Sequence, residues 1–302
     1  MKVLLTGKTG QLGRELQRSL TPLGQLRTCD RQEADLEDLD NLRAIIRDYS
    51  PDVIVDAAAY TAVDKAEMEP EKARLVNVSA VRVLAEEAAR LDSWLVHYST
   101  DYVFDGKKAS AYLESDQALP LSVYGQSKLG GEEAIREVAC RHLIFRSSWV
   151  YSTHGANFPL AILGRAMECE RIDVVSDSFG APTSASLITD VMALVLYRII
   201  WNPRPRHTTA GGTYHLVASG ETSWYDYTRF LIGLAGKKRL PVRVVPDGVF
   251  PVNADTYSAA AKRSRNCRLN NKKLRDQFDL VMPEWPEQVE RFVDEIIRFN
   301  LL

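Results

Sequence analysis

Tyr124 and Lys128 stand four residues apart in the stretch Tyr124-Gly125-Gln126-Ser127-Lys128. On a helix that spacing places a phenol and an ammonium on one face, one turn from each other. A nearby cation favours the phenolate, so a group that ordinarily ionises near about pH 10 becomes a stronger acid. Such a phenol can pass a proton to, or take one from, a sugar or alcohol oxygen. The chain holds 12 tyrosines, so the pair read alone is equally a surface helix contact. Its weight comes from the start of the chain. There Val3-Leu4-Leu5-Thr6 reads as a buried parallel strand. It runs through Gly7-Lys8-Thr9-Gly10-Gln11-Leu12-Gly13 into a helix with Leu12, Leu16 and Leu20 at helical spacing, stopped near Pro22. The glycines allow a tight turn and close approach of backbone to a pyrophosphate, and the helix N-terminus supplies N–H groups and partial positive charge. Gly7, Gly10, Gln11, Leu12 and Gly13 are therefore expected to hold a dinucleotide, NADH or NADPH.

These residues need a scaffold. Gln25–Cys29 is expected as a second strand ending at Asp30, near where an acid that binds the adenosine ribose should fall; an ordinary strand-end carboxylate fits as well. Arg31 beside it leaves room for a 2′-phosphate, so the choice of cofactor stays open. Asp35 and Leu36 precede a helix over 38–49 and either flank the adenine or serve as a helix cap. A third strand over 52–56 runs into Ala57, Ala58, Ala59, Tyr60 and Thr61, where small side chains would let the cofactor lie against the backbone. A helix over roughly 70–91 leads to strand 94–98 and the hydroxyl-bearing Ser99-Thr100-Asp101-Tyr102. His97, in mid-strand, reads as a satisfied core histidine. After the Tyr124 helix comes a strand over 142–146. This alternation predicts an α/β chain with a Rossmann-like, doubly wound parallel sheet. Residues 1–150 would form the dinucleotide-binding domain, rejoined by a strand at 214–217, and residues 151–302 mainly a smaller substrate-binding lobe. Helices are expected near 155–169, 186–200, 222–235 and 286–299, and a loop over 202–212. The last helix gathers Val289, Phe292, Val293, Ile296 and Ile297 on one face, for core or dimer contact.

Composition narrows the partners. Lys and Arg number 38 against 40 Asp and Glu, so the chain carries no basic footprint for nucleic acid or a membrane surface. Apolar runs fall short of a membrane span, and the apolar stretch after Met1-Lys2 is too short for a signal peptide, which makes the cytoplasm the expected location. Cys29, Cys140, Cys169 and Cys267 show neither C-x-x-C spacing nor a metal pattern and are expected as reduced thiols.

Longer stretches carry a resemblance: GKTGQLGREL at 7–16, PDVIVDAAAYTAVDKAE at 51–67, VHYSTDYVFDG at 96–106, VYGQSKLGGEEA at 123–134, HLIFRSSWVY at 142–151, FGAPTSA at 179–185 and TYHLVASGETSWYDY at 213–227. With them the chain resembles the extended short-chain dehydrogenase/reductase superfamily nearly end to end. The resemblance implies NAD(P)H-dependent reduction of the C4 carbonyl of dTDP-4-dehydro-L-rhamnose to dTDP-L-rhamnose. Tyr124 would be the acid, Lys128 would hold the nicotinamide ribose and depress the tyrosine pKa, and Thr100 would hydrogen-bond the reacting oxygen. Asp101, Tyr102 and Trp149, with Val63, Glu67 and Asn157, would line the sugar, and Gly180-Ala181-Pro182-Thr183 would act as a lid. Dehydratases of the superfamily place an Asp-Glu pair after the threonine; Asp101-Tyr102 breaks that pair and favours plain reduction. Alternatives are a dinucleotide-binding regulatory subunit of methionine adenosyltransferase type, or a reductase or epimerase of another nucleotide 4-keto sugar. Where the superfamily branch has Arg-Pro-x-Asn-Ser, this chain has Arg263-Ser264-Arg265-Asn266-Cys267, leaving Arg263, Arg265 and Arg268 as diphosphate clamps or a solvated basic loop. Some relatives bind Mg²⁺ through surface glutamates between subunits; Glu15 is present, but Ser186 stands where a second acid is expected.

Overall fold

A computed structural model describes residues 1–201, 210–256 and 259–301. The expected loop over 202–212 therefore lies outside the described residues for 202–209. In chain order the elements are β1 (Lys2–Thr6), α1 (Gln11–Leu20), β2 (Gln25–Cys29), α2 (Leu39–Tyr49), β3 (Val53–Asp56), α3 (Val63–Ala66), α4 (Pro70–Arg74), α5 (Ala80–Leu91), β4 (Trp94–Thr100), α6 (Val123–Val138) and β5 (Arg141–Ser147). They continue with β6 (Val150–Tyr151), α7 (Phe158–Glu168), β7 (Ile172–Val175), β8 (Phe179–Gly180), β9 (Thr183–Ser184), α8 (Ala185–Ile200), β10 (Gly212–His215), β11 (Thr222–Ser223), α9 (Trp224–Lys237), β12 (Val249–Val252), α10 (Lys272–Phe278) and α11 (Trp285–Phe299).

The central sheet has six parallel strands in the order β10-β5-β4-β3-β1-β2. Side-chain alternation splits its apolar residues between two layers. Val3, Leu5, Val53, Val55, Val96 and Phe145 pack against Leu16 and Leu20 of α1, Met192 and Val195 of α8, and Leu274 and Phe278 of α10. Leu4, Ile54, Leu95 and Ile144 face the other way, against Leu42 and Ile46 of α2, Val81 and Leu84 of α5, and Ile135 of α6. Two helices from beyond residue 151 thus complete the first layer. A separate apolar cluster joins Tyr151, Leu163, Tyr227, Leu231 and Val289.

Three local readings need correction. The helix expected over 70–91 is broken: α4 passes through a π-helical turn, Leu75–Ser79, before α5 begins. That turn carries Asn77, whose amide donates to the Tyr60 carbonyl and to Ser127 Oγ while its oxygen accepts from the Tyr60 N–H, so the widened turn ties the segment after β3 to α6. In α11, Val289, Phe292, Val293 and Ile296 are buried but Ile297 is 40% exposed, because it falls at the rim of the apolar stripe. The stretch Gly180–Thr183 is a buried wall. Thr183 is fully buried, donates its N–H to the Trp149 carbonyl (3.2 Å) and accepts from the Ala218 N–H (3.1 Å).

Candidate active site

At the carboxyl end of β1, Gly7 takes φ +73°, a left-handed conformation that side chains resist. Gly13 lies so close behind it that an added Cβ would sit 1.9 Å from the Gly7 carbonyl oxygen. The turn also crowds β3, since a Cβ on Gly7 would meet the Ala57 and Ala58 backbone at 2.7–2.8 Å. α1 begins at Gly10 with no side chain capping its first amides. A tight turn that needs glycine at positions 7 and 13 and leads into an uncapped helix start suits a pyrophosphate and fits the dinucleotide drawn from the sequence.

The adenosine end carries charge on both sides. Lys8 pairs with Asp30 (3.2 Å) and Glu33 (2.5 Å), and Arg31 pairs with Asp35 and Glu37. The cap of α2 is Asp38, which accepts the Asn41 N–H at 3.0 Å; Asp35 instead accepts the Glu37 N–H, and the Leu36 side chain is buried in the core. Ala57, Ala58, Ala59 and Tyr60 are half-buried and Thr61 is exposed.

α6 starts at Ser122, whose hydroxyl accepts the Gly125 N–H at 3.1 Å. Its stripe of Tyr124, Lys128 and Glu132, at i, i+4 and i+8, is laid toward the sheet. Tyr124 reaches the end of β4, where the Thr100 hydroxyl is near enough to act on the phenol and lower its pKa. Burial, followed by the Asp101 carboxylate, overrides that and pushes Tyr124 up to about 12. The expected depression by Lys128 is therefore corrected: the ammonium turns to the sheet, where His97 Nε2 lies 3.1 Å away. Burial brings Lys128 down to about 8, opposed by the carboxylates of Asp56 and Glu132. Burial alone would raise Glu132, but the two-pronged contact with Arg146 (2.6 and 2.8 Å), with Ser99 and Arg136, holds it at about 2.

The pocket residues gather beside Thr100. Asp101 is buried, its Oδ1 accepting from Thr100 at 3.2 Å while Oδ2 has no hydrogen-bond partner among the described residues. Burial raises it to about 6, moderated by the Cys267 thiol, and Cys267 is itself pushed up by burial. The Tyr102 ring meets Tyr124 edge-on at 5.4 Å. Trp149 holds a left-handed backbone (φ 49°) and stacks its indole on Trp224 at 3.5 Å, with Phe158 against the far ring. Glu67 accepts the Val123 N–H at 2.9 Å, and Val63 is half-buried in the adjacent α3. Asn157 caps α7 and donates to Gln11 Oε1 at 3.0 Å, linking the second half of the chain to the glycine turn.

The arginines are engaged. Arg263 pairs with Asp64, Arg265 with Asp177 and Asp255, and Arg268 with Glu221 and the Ala109 carbonyl. Glu15 pairs with Arg18 and faces Ser186, Arg291 and Glu295 across a small depression. Among the described residues no group of three or more His, Cys, Asp or Glu could hold a metal ion, and no helix is long and apolar enough to cross a membrane. The four cysteines are free thiols. Sequence reasoning passed over Asp56, Asn77, Trp224 and Cys267, and its reading of His97 as a satisfied core residue left out the contact with Lys128. A buried polar residue in the strand Val53–Asp56 was the one available signal.

A parallel sheet carrying a glycine cradle at its first turn and a half-buried tyrosine against a threonine hydroxyl defines a nicotinamide-dependent oxidoreductase of Rossmann type. The family model described as RmlD substrate binding domain matches residues 1–298. The dTDP-4-dehydrorhamnose reductase of Escherichia coli (strain K12) is 44% identical over 300 residues, 98% of each chain. The spore coat polysaccharide biosynthesis protein SpsK of Bacillus subtilis (strain 168) is 32% identical over 97% of each chain. A crystal structure of dTDP-4-dehydrorhamnose reductase from Bacillus anthracis (strain Ames) in complex with NADP superposes with a TM-score of 0.87 at 32% identity, covering 97% of this chain and 99% of that one. The chain belongs to the dTDP-4-dehydrorhamnose reductase family.

Proposed function

We infer that this chain uses NADPH or NADH to reduce the C4 carbonyl of dTDP-4-dehydro-L-rhamnose, giving dTDP-L-rhamnose for surface polysaccharide. The observation that carries the reading is the juxtaposition of the half-buried Tyr124 with the buried Thr100 at the sheet edge that holds the glycine cradle. Binding a dinucleotide alone would need the cradle but no proton donor. When bound, the reduced nicotinamide supplies the hydride. Tyr124 gives its proton to the C4 oxygen; an alcoholate is a far stronger base than a phenolate, so even a phenol at about 12 is a competent donor. Thr100 hydrogen-bonds that oxygen and fixes its distance from the phenol. Lys128, still largely an ammonium below pH 8, holds the nicotinamide ribose. The partnerless Asp101 Oδ2 accepts from a sugar hydroxyl, and the Trp149–Trp224 stack gives the sugar an apolar wall.

The division of labour follows: the sheet-forming residues 1–150 with the returning β10 bind the dinucleotide, and residues from 151 onward contribute mainly to the sugar side. The test supplies the chain with dTDP-4-dehydro-L-rhamnose and either reductant, follows loss of reduced nicotinamide, and identifies the product by NMR. Rhamnose-configured product is expected; absence of oxidation with both reductants rejects the reading.

A further inference from the structure

Along the face of the sheet beneath α6, apolar residues occupy one register row, with Leu4, Ile54 and Leu95 on β1, β3 and β4. Two residues further on, the row is polar: Thr6 lies beside Asp56 and Asp56 beside His97. All three are buried, with exposures of 1%, 1% and 0%. They form one chain of hydrogen bonds. The Thr6 hydroxyl donates to Asp56 Oδ1 at 2.9 Å, and Asp56 Oδ2 meets His97 Nδ1 at 2.9 Å. His97 Nε2 then meets Lys128 Nζ at 3.1 Å. A carboxylate only accepts, so the proton between Asp56 and His97 sits on Nδ1 and the Nε2 lone pair is left facing the ammonium. Burial, followed by the Lys128 charge, keeps the imidazole neutral, against the pull of Asp56. An apolar side chain of similar size would fill this place without needing partners, and a buried polar chain is costly unless each member serves the next.

We propose that His97, locked in one tautomer by Asp56 and Thr6, is a positioning residue for Lys128, accepting a hydrogen bond from one of its three N–H groups on the sheet side so that the other two point into the cofactor cleft. This rests on the reading of Lys128 given above. The hydrogen bond to His97 adds to the carboxylates of Asp56 and Glu132 in letting a lysine buried to 2% exposure keep its charge. The groups facing that charge are His97 and Asp56 from the sheet and Glu132 from its own helix, with Arg146 behind Glu132.

Two replacements separate holding from packing. His97→Gln keeps an acceptor near the Nε2 position; His97→Asn keeps a partner for Asp56 but cannot reach Lys128. With NADPH and dTDP-4-dehydro-L-rhamnose, His97→Asn is expected to lose about 10–100-fold in kcat, the usual cost of removing a group that orients a functional one. The alkaline limb of its kcat/KM profile should move to lower pH, because an ammonium without its acceptor gives up its proton sooner. His97→Gln should recover most of the rate and restore the limb. Equal losses in both variants with an unmoved limb, or wild-type behaviour in both, would overturn the proposal while wild-type turnover keeps the activity reading intact. A measurement on the unmutated chain covers the case of misfolding variants or of no turnover. Labelled with ¹⁵N-histidine, His97 should show a protonated Nδ1 and a bare Nε2 that shifts in Lys128→Met. A protonated Nε2 would refute the proposal.

Discussion

Replacing Asp101 by Asn should make the protein more stable at neutral pH and a poorer enzyme. Asp101 is 3% exposed, its carboxyl is raised to about 6 by burial, and no cation pairs with it, so ionising it at pH 7 works against the fold. The folded value lies above the ordinary 3.8, so the native state binds the extra proton between about pH 4 and 6 and stability falls as pH rises through that window. A difference of about 2 units corresponds to about 3 kcal/mol at full ionisation. Asn removes that penalty but places an amide N–H₂ where Oδ2 now lacks a partner, costing back about 1–2 kcal/mol. The net expectation is a gain of about 1–2 kcal/mol above pH 7, read as a rise of about 2–3 °C in Tm. It should turn into a loss of about 1 kcal/mol near pH 4, where the native carboxyl is neutral and only the cost of the unpartnered amide remains. Thermal unfolding of the two proteins in parallel from pH 4 to 8 measures it, and KM for the sugar nucleotide should rise in the variant as a hydroxyl acceptor is lost. An Asn variant destabilised equally at pH 4 and pH 8 would show that Asp101 is not held as a costly buried carboxylate.

Two other perturbations probe the frame. Glu132→Gln removes the carboxylate that Arg146 and Arg136 share and should cost about 3–5 kcal/mol in urea unfolding at pH 7. In the wild type the same group, with its folded pKa below the ordinary 4.5, contributes stability above that value that is lost as pH falls toward about 2, so the acid limb of stability should flatten in the variant. Gly13→Ala should abolish NADPH binding by calorimetry and destabilise the fold by about 1–3 kcal/mol, since the methyl would overlap the Gly7 carbonyl.

What could be read from the chain was whatever short-range spacing determines. The glycine turn, the leucines of α1, the Tyr124–Lys128 step and the strand-helix alternation are local patterns, and the six-stranded parallel sheet follows from them. Thr6, Asp56 and His97 come from three separate strands, and only the register of the sheet makes them neighbours. Trp224 meets Trp149 through tertiary packing across a long stretch of chain, which no local spacing reveals. The direction of the Tyr124 shift was misjudged because a helical spacing reveals that a lysine is near but not that a histidine on the sheet side attracts it. Burial of the phenol, a tertiary property, then decides the sign. The π turn escaped notice because α4 and α5 share one helical pattern, and only the bonds of Asn77 show the widening.

The central claim, that the Tyr124 hydroxyl is the proton donor in carbonyl reduction, is tested most directly by measuring kcat for dTDP-4-dehydro-L-rhamnose and Kd for NADPH in Tyr124→Phe beside the wild type. The phenol's proton is needed in the transition state, so kcat should fall by about 10²–10⁴-fold while Kd stays nearly unchanged. A variant that turns over at the wild-type rate, or that loses NADPH binding in proportion to its rate, would contradict the assignment.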